Sequence, residues 1–116
     1  MTEMFENIKG AKIINLTPHA VNIITNSGDI ITFEPSGNIA RCKQETVYVG
    51  DIDGIPLTST SFGEVEDLPL PSDGCYYIVS RLIMSACPNR SDLLGPNELV
   101  RDDNGNIIGC RSFSVC

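Results

Sequence analysis

Turn-forming clusters recur along this chain and cut it into short β-branched runs. Asn26-Ser27-Gly28-Asp29, Pro35-Ser36-Gly37, Asp51 to Gly54 and Asp102-Asp103-Asn104-Gly105 are the plainest. Each supplies Gly, Pro, Asn or Asp where a chain must reverse. The runs between them have strand character. Ala11 to Leu16 and Ala20 to Thr25 are interrupted by Thr17-Pro18-His19, because proline cannot donate to a ladder and restricts the residue before it. Ile30 to Glu34 returns after the first turn cluster and predicts a hairpin. Ile39 to Cys42 reads as a short strand, Glu45 to Gly50 alternates with period two, and Ile55 to Ser61 continues extended. Phe62 to Leu70, acidic and ending in prolines, reads as a loop. Tyr76 to Val79 reads as a buried strand.

Ser80 to Ala86 changes character: it carries good helix formers and only Ile83 is β-branched. A short helix is expected here, with Ser80 as N-cap and an end near Pro88. Asn89 to Asp92 could cap a second helical turn, stopped by Gly95-Pro96. Glu98 to Cys110 is expected as a terminal hairpin around Asn104-Gly105. If its loop is Asp103-Asn104-Gly105, with Gly105 left-handed, Arg101 pairs with Ile107, and the two-residue period places Arg101 and Arg111 on one face. The expected class is α+β: one strand-rich domain spanning residues 1–116, built from antiparallel hairpins, with one or two short helices after the Tyr76–Val79 strand. Met1 to Lys9 reads as a short frayed arm.

With 116 residues and 41% hydrophobic content, the chain suffices for one domain and one modest core. Its net charge of −7 opposes binding to duplex nucleic acid and to anionic membranes. A local anion pocket is still open, because it needs only two or three well-placed donors. No apolar run approaches the roughly 20 residues of a membrane span. The five cysteines, Cys42, Cys75, Cys87, Cys110 and Cys116, show no C-x-x-C spacing. With a single histidine, they argue against structural zinc. They read as reduced thiols in a cytosol, serving as small buried hydrophobes.

No nucleotide-hydrolysing, dinucleotide-binding, zinc-protease or serine-hydrolase motif occurs. His19 has no nucleophile near it in sequence. It reads either as a turn histidine or as a hydrogen-bond donor to a ligand phosphate. The arginines say more. Arg81, Arg90, Arg101 and Arg111 sit at element ends, where a planar guanidinium fork suits phosphate. The competing role is pairing with the chain's own carboxylates, for example Arg90 with Asp92 or Arg101 with Asp102. Asn89 and Asn97 could read a purine edge. Met84, Phe62, Tyr76 and Phe113 could offer apolar surface to a base, although such residues usually fill cores. A protein that only binds is therefore expected: no enzyme, no cofactor, no metal.

These residues in order resemble a family. INLTPHAVNI, PSGNIARC, STSFGEVEDLP, YYIVSRLIMSACPNRSDLLGP and LVRDDNGNIIGCRSF run from about Ile13 to Phe113. Together they look like small phage proteins of the first Thoeris anti-defence family. The resemblance implies a sponge that sequesters cyclic ADP-ribose isomers made by bacterial TIR enzymes without degrading them, and in some members cyclic oligonucleotides in separate pockets. It implies homo-oligomers, dimers or hexamers built as trimers of dimers, with pockets at subunit interfaces, working in the cytoplasm of the infected host. The ligand residues then expected here are Arg101, Arg111, Asn89, Arg90, Met84, Arg81, Asn97, Phe113, Thr17 and His19. The rival functions are a phage structural or assembly protein and an enzyme that destroys the signal.

Overall fold

The chain is seen in a computed structural model that describes residues 10–115. The expected N-terminal arm, Met1 to Lys9, and Cys116 lie outside them. Strands β1 (Lys12–Asn15), β2 (Val21–Ile24) and β3 (Ile30–Phe33) come first. The much longer β4 (Arg41–Ile52) and β5 (Ile55–Glu66) follow. Then come β6 (Cys75–Ile78), helix α1 (Arg81–Ala86), β7 (Leu93–Arg101) and β8 (Ile107–Ser114). The class is α+β, as the turn pattern predicts: strand-rich, with antiparallel hairpins β2–β3, β4–β5 and β7–β8 and one short helix among the described residues.

Two sheets form. Six strands order as β1-β6-β7-β8-β2-β3, and β4 pairs with β5 alone. Parallel pairings of β1 with β6, β6 with β7 and β2 with β8 link the hairpins. Local turn signals say nothing of these, because they join segments far apart in sequence. The six-stranded sheet curls until its two edges meet: Asn15 on β1 bridges Pro35, just beyond β3, and the Ser36 amide donates to the Asn15 carbonyl at 2.9 Å.

Helix α1 is the crossover between the parallel strands β6 and β7. Six residues cannot hold a helix alone in water. Its cap and its buried face hold it. The Ile83 amide donates to Ser80 Oγ at 3.3 Å, as the N-cap reading predicts, and Ile83 and Met84 are buried. They meet Leu16, Ala40, Tyr77, Val79 and Leu93 in the main core. Cys42 and Val65, at the root of β4–β5, pack on its margin, as do Cys75 and Cys87. Cys110 is buried apart from that cluster, and desolvation holds its thiol pKa above the ordinary value.

Three expectations are corrected. Leu93 to Pro96 is strand, not the end of a second helical turn: Tyr77 and Ile78 pair with Leu93 and Leu94, and Pro96 stands opposite Phe113. Asn89 to Asp92 forms turns with no helix. Phe62 to Glu66 belongs to β5, so the acidic loop is shorter than expected.

Candidate functional site

The terminal hairpin closes with the expected three-residue loop. The Asp102 amide donates to the Asn106 carbonyl at 2.9 Å. Asp102 Oδ1 accepts from the amides of Asn104 and Asn106. Gly105 takes φ +83, open to glycine without steric cost. Arg101 pairs with Ile107 as predicted, but the two arginines do not share a face. The register shifts between Val100 and Arg101, leaving Ile108 as an extra residue. Leu99 pairs with Cys110, so the two-residue period puts Arg101 on Cys110's face and Arg111 on the other. Arg101 Nη1 also folds back on its own turn and donates to the Gly105 carbonyl at 2.9 Å.

Arg90 takes the structural role. Its Nε and Nη2 donate to the two oxygens of Asp92, both at 2.8 Å, and Nη2 also donates to the Pro69 carbonyl at 2.9 Å. The paired hydrogen bonds hold the Asp92 carboxyl below the ordinary carboxylate range, against an opposing effect of desolvation. Phe113 is also structural, its ring tilted against Phe33 with centroids 5.8 Å apart.

Thr17 and His19 belong to a latch centred on Asn15, which is buried and which the sequence reading passed over. Asn15 Nδ2 donates to the carbonyls of His19 at 2.8 Å and Phe33 at 2.9 Å. Asn15 Oδ1 accepts from the Thr17 amide at 2.9 Å and the Thr17 hydroxyl at 2.6 Å. The amide group's two donors and both acceptor positions are thus filled. His19 contributes a carbonyl to this turn, and the residue is exposed. Asn89 is exposed on the turn after Pro88, and Asn97 is half-buried opposite Ser112.

Two of the expected ligand residues do converge. Arg81 and Met84 line an open cleft of about 430 Å³ with Ser85, Pro88, Ser114 and Val115. Arg81, Met84 and Ser85 stand at helical positions i, i+3 and i+4, which share one face. That spacing was a readable signal for Ser85. Gly95 lets this wall form: a Cβ there would stand 2.6 Å from Met84 Sδ and 3.3 Å from Ser114 Oγ. Glycine therefore allows the helix's thioether to lie against β7. Ser114 Oγ in turn donates to the Gly95 carbonyl at 3.2 Å. Arg81 is exposed, and its guanidinium makes no hydrogen bond or ion pair with a described residue. The cleft thus combines a cation, two hydroxyls and an apolar wall. Its volume lies within the range of small-molecule sites, roughly 300–1,000 Å³, but it is open on one side. A smaller groove, about 230 Å³, runs beside β2 and β8 and is lined mainly by apolar residues including Leu99, Ile108 and Cys110.

Comparison with models of protein families, with curated proteins and with solved structures returns no match.

Proposed function

We propose that the protein captures small cyclic nucleotide signals without degrading them, as a phage anti-defence sponge of the first Thoeris anti-defence family. Cyclic ADP-ribose isomers are the first ligand class and cyclic oligonucleotides the second, met in the cytoplasm of the infected host. The observation that carries this reading is the α1–β8 cleft, where Arg81 stands beside Met84, Pro88 and Val115 with no carboxylate partner among the described residues. A guanidinium suits a pyrophosphate, and an apolar wall with hydroxyls at its edge suits a nucleoside. The motif order from Ile13 to Phe113 supplies the family. An open cleft buries a dinucleotide-sized ligand poorly, so a second copy of the chain is expected to close it. The exposed apolar face of β4–β5 lends some support to the rival reading, an assembly component; such a protein would bind no cyclic nucleotide.

Calorimetry with a cyclic ADP-ribose isomer tests the proposal. Arg81→Ala is expected to weaken binding about ten- to a hundredfold, since a hydrogen bond to a charged group contributes roughly 1.5–3 kcal/mol. Its melting temperature should match the parent's, because Arg81 is exposed. Arg101→Ala should lose less affinity, as its guanidinium is engaged by its own turn. Heating the complex should return intact ligand. A converted product, or equal affinity in Arg81→Ala and parent, sinks the proposal.

A further inference from the structure

Asn104-Gly105, at the tip of the β7–β8 hairpin, is the one asparagine–glycine step in the chain; every other asparagine precedes a residue with a side chain. An asparagine side chain can react with the backbone nitrogen that follows it. That nitrogen must shed its proton and reach the side-chain carbonyl carbon, and glycine presents it with no Cβ to obstruct the approach. Both residues are exposed to water. The turn opposes the reaction in three ways. The Gly105 N–H donates to the Asp102 carbonyl at 3.0 Å, which favours the protonated nitrogen. Asp102 Oδ1 accepts from the amides of Asn104 at 2.9 Å and Asn106 at 3.0 Å, and Arg101 Nη1 holds the Gly105 carbonyl at 2.9 Å, so the dipeptide is fixed at both ends. The Asp102 carboxylate, with Asp103 next to it, also puts negative charge near a nitrogen that must itself become negative to react.

We propose that Asn104 is a deamidation site, protected by the closed turn and reacting through local opening of the hairpin tip, with Asp102 as the positioning residue that keeps it closed. Once the turn opens, hydroxide takes the Gly105 amide proton and the nitrogen bonds to Asn104 Cγ. The bond from Cγ to the side-chain nitrogen breaks. Ammonia leaves, its third hydrogen supplied by water, which restores the hydroxide. The cyclic imide then takes up one water at either carbonyl, giving an aspartyl or an isoaspartyl residue at position 104. Either product adds a negative charge to the tip. The isoaspartyl product also routes the main chain through the side chain and lengthens it by one carbon. The Asp102–Asn106 closure, 2.9 Å in the intact turn, then fails, and the tip stays open. Ile107 and Ile108, which line the groove beside β2, follow directly. The native rate is the open fraction multiplied by the rate of the unfolded chain, so the ratio of the two rates measures opening of the turn. The proposal concerns the turn and stands whether or not the cleft binds a nucleotide.

Peptide mapping by mass spectrometry tests it, on the full chain aged in mildly alkaline buffer with and without denaturant. In denaturant the parent should deamidate at position 104 before any other asparagine, and at least about tenfold faster than the native protein does there. This comparison needs no variant. Asp102→Ala removes the side-chain acceptor and its charge but keeps the backbone carbonyl. In native buffer it should deamidate at position 104 about tenfold faster than the parent, and in denaturant the two proteins should age alike. A native parent that deamidates at position 104 as fast as the denatured one overturns the protection. So does a native Asp102→Ala protein that ages like the parent. A denatured parent that stays intact at position 104, or reacts first at another asparagine, overturns the site itself.

Discussion

The curled sheet with α1 and the β4–β5 arm obey the same local rules but differ in where their apolar side chains go. In the body, Tyr77, Ile78, Val79, Ile83, Leu93 and Leu94 are buried, and the sheet's edges are closed by Asn15. In the arm, no residue of β4 or β5 is buried, and only Cys42, Gly50 and Val65 are even half-covered. Yet the arm's sequence alternates as a half-buried strand does. Alternation therefore reports that a strand has an apolar face, not that the same chain covers it. Three further measurements would break or sharpen this contrast.

The largest difference should appear on truncating one apolar side chain in each region. Ile78 is fully buried, and Ile78→Ala should cost about 2–5 kcal/mol of stability through lost burial and a residual cavity. Val47→Ala, in the arm, should change the stability of the monomer by no more than about 0.5 kcal/mol. Denaturant melts at protein concentrations low enough to keep the chain monomeric measure both. Similar costs at the two positions would mean that the arm is covered within its own chain, and the contrast would collapse.

The next effect falls on the closure of the body. Asn15→Ala removes four hydrogen bonds at the junction of β1 with the end of β3. It should cost about 1–3 kcal/mol, the penalty for leaving buried polar groups unpaired. Hydrogen exchange should quicken in β1 and β3 while the amides of β4 and β5 keep the parent's rates. If the arm loosens equally, body and arm unfold as one unit.

Much of this division could be read from the chain, for identifiable reasons. Turns announce themselves locally, so the β2–β3 and β7–β8 hairpins and the capped helix stand where the sequence puts them. The arm reads as pieces, because Lys43-Gln44 falls between two strand runs and Gly63-Glu64 looks like loop. With both faces of that stretch open to water, no face demands apolar residues, and charged ones fit the ladder. Leu93 to Pro96 misled in the opposite sense. Gly95-Pro96 reads as a stop, but the buried slot beside β6 takes Leu93 and Leu94 as strand, a pairing that no local signal carries. In the candidate site, Arg81 and Met84 were legible by chemistry, and the Arg90–Asp92 pair was foreseen as an alternative to ligand binding. Asn15 escapes a local reading because Thr17-Pro18-His19 reads only as an interruption, whereas its His19 carbonyl and its Thr17 amide and hydroxyl are partners of a buried side-chain amide. A single-residue bulge, invisible in the sequence, reverses the alternation, so Arg101 and Arg111 do not share the expected face.

The smallest effect concerns the joint between the two regions. Arg90 and Asp92 belong to the body, and Pro69 lies on the segment that leads from the arm back to β6. The guanidinium grips the carboxylate with two hydrogen bonds and the Pro69 carbonyl with a third, tying that segment down. Asp92's folded pKa lies below the ordinary value, chiefly because of the hydrogen bonds from Arg90. Its contribution to stability is therefore present above the unfolded-state pKa of about 3.9, and is lost as pH falls from there through the folded value. At neutral pH Arg90→Ala should cost about 1 kcal/mol, since the pair is partly solvated. The gap between the parent and Arg90→Ala stability curves should stay constant down to about pH 5, then narrow as Asp92 takes up its proton. Acid unfolding from other carboxylates shifts both proteins alike and cancels in the difference. Exchange of the backbone amides in residues 67–74 should rise in the variant, with β4 and β5 unchanged in register and protection. A gap that persists unchanged at low pH would assign Arg90's role to its bond with Pro69 alone. Loosening that spreads along β5 would show that the arm depends on this joint for its own pairing.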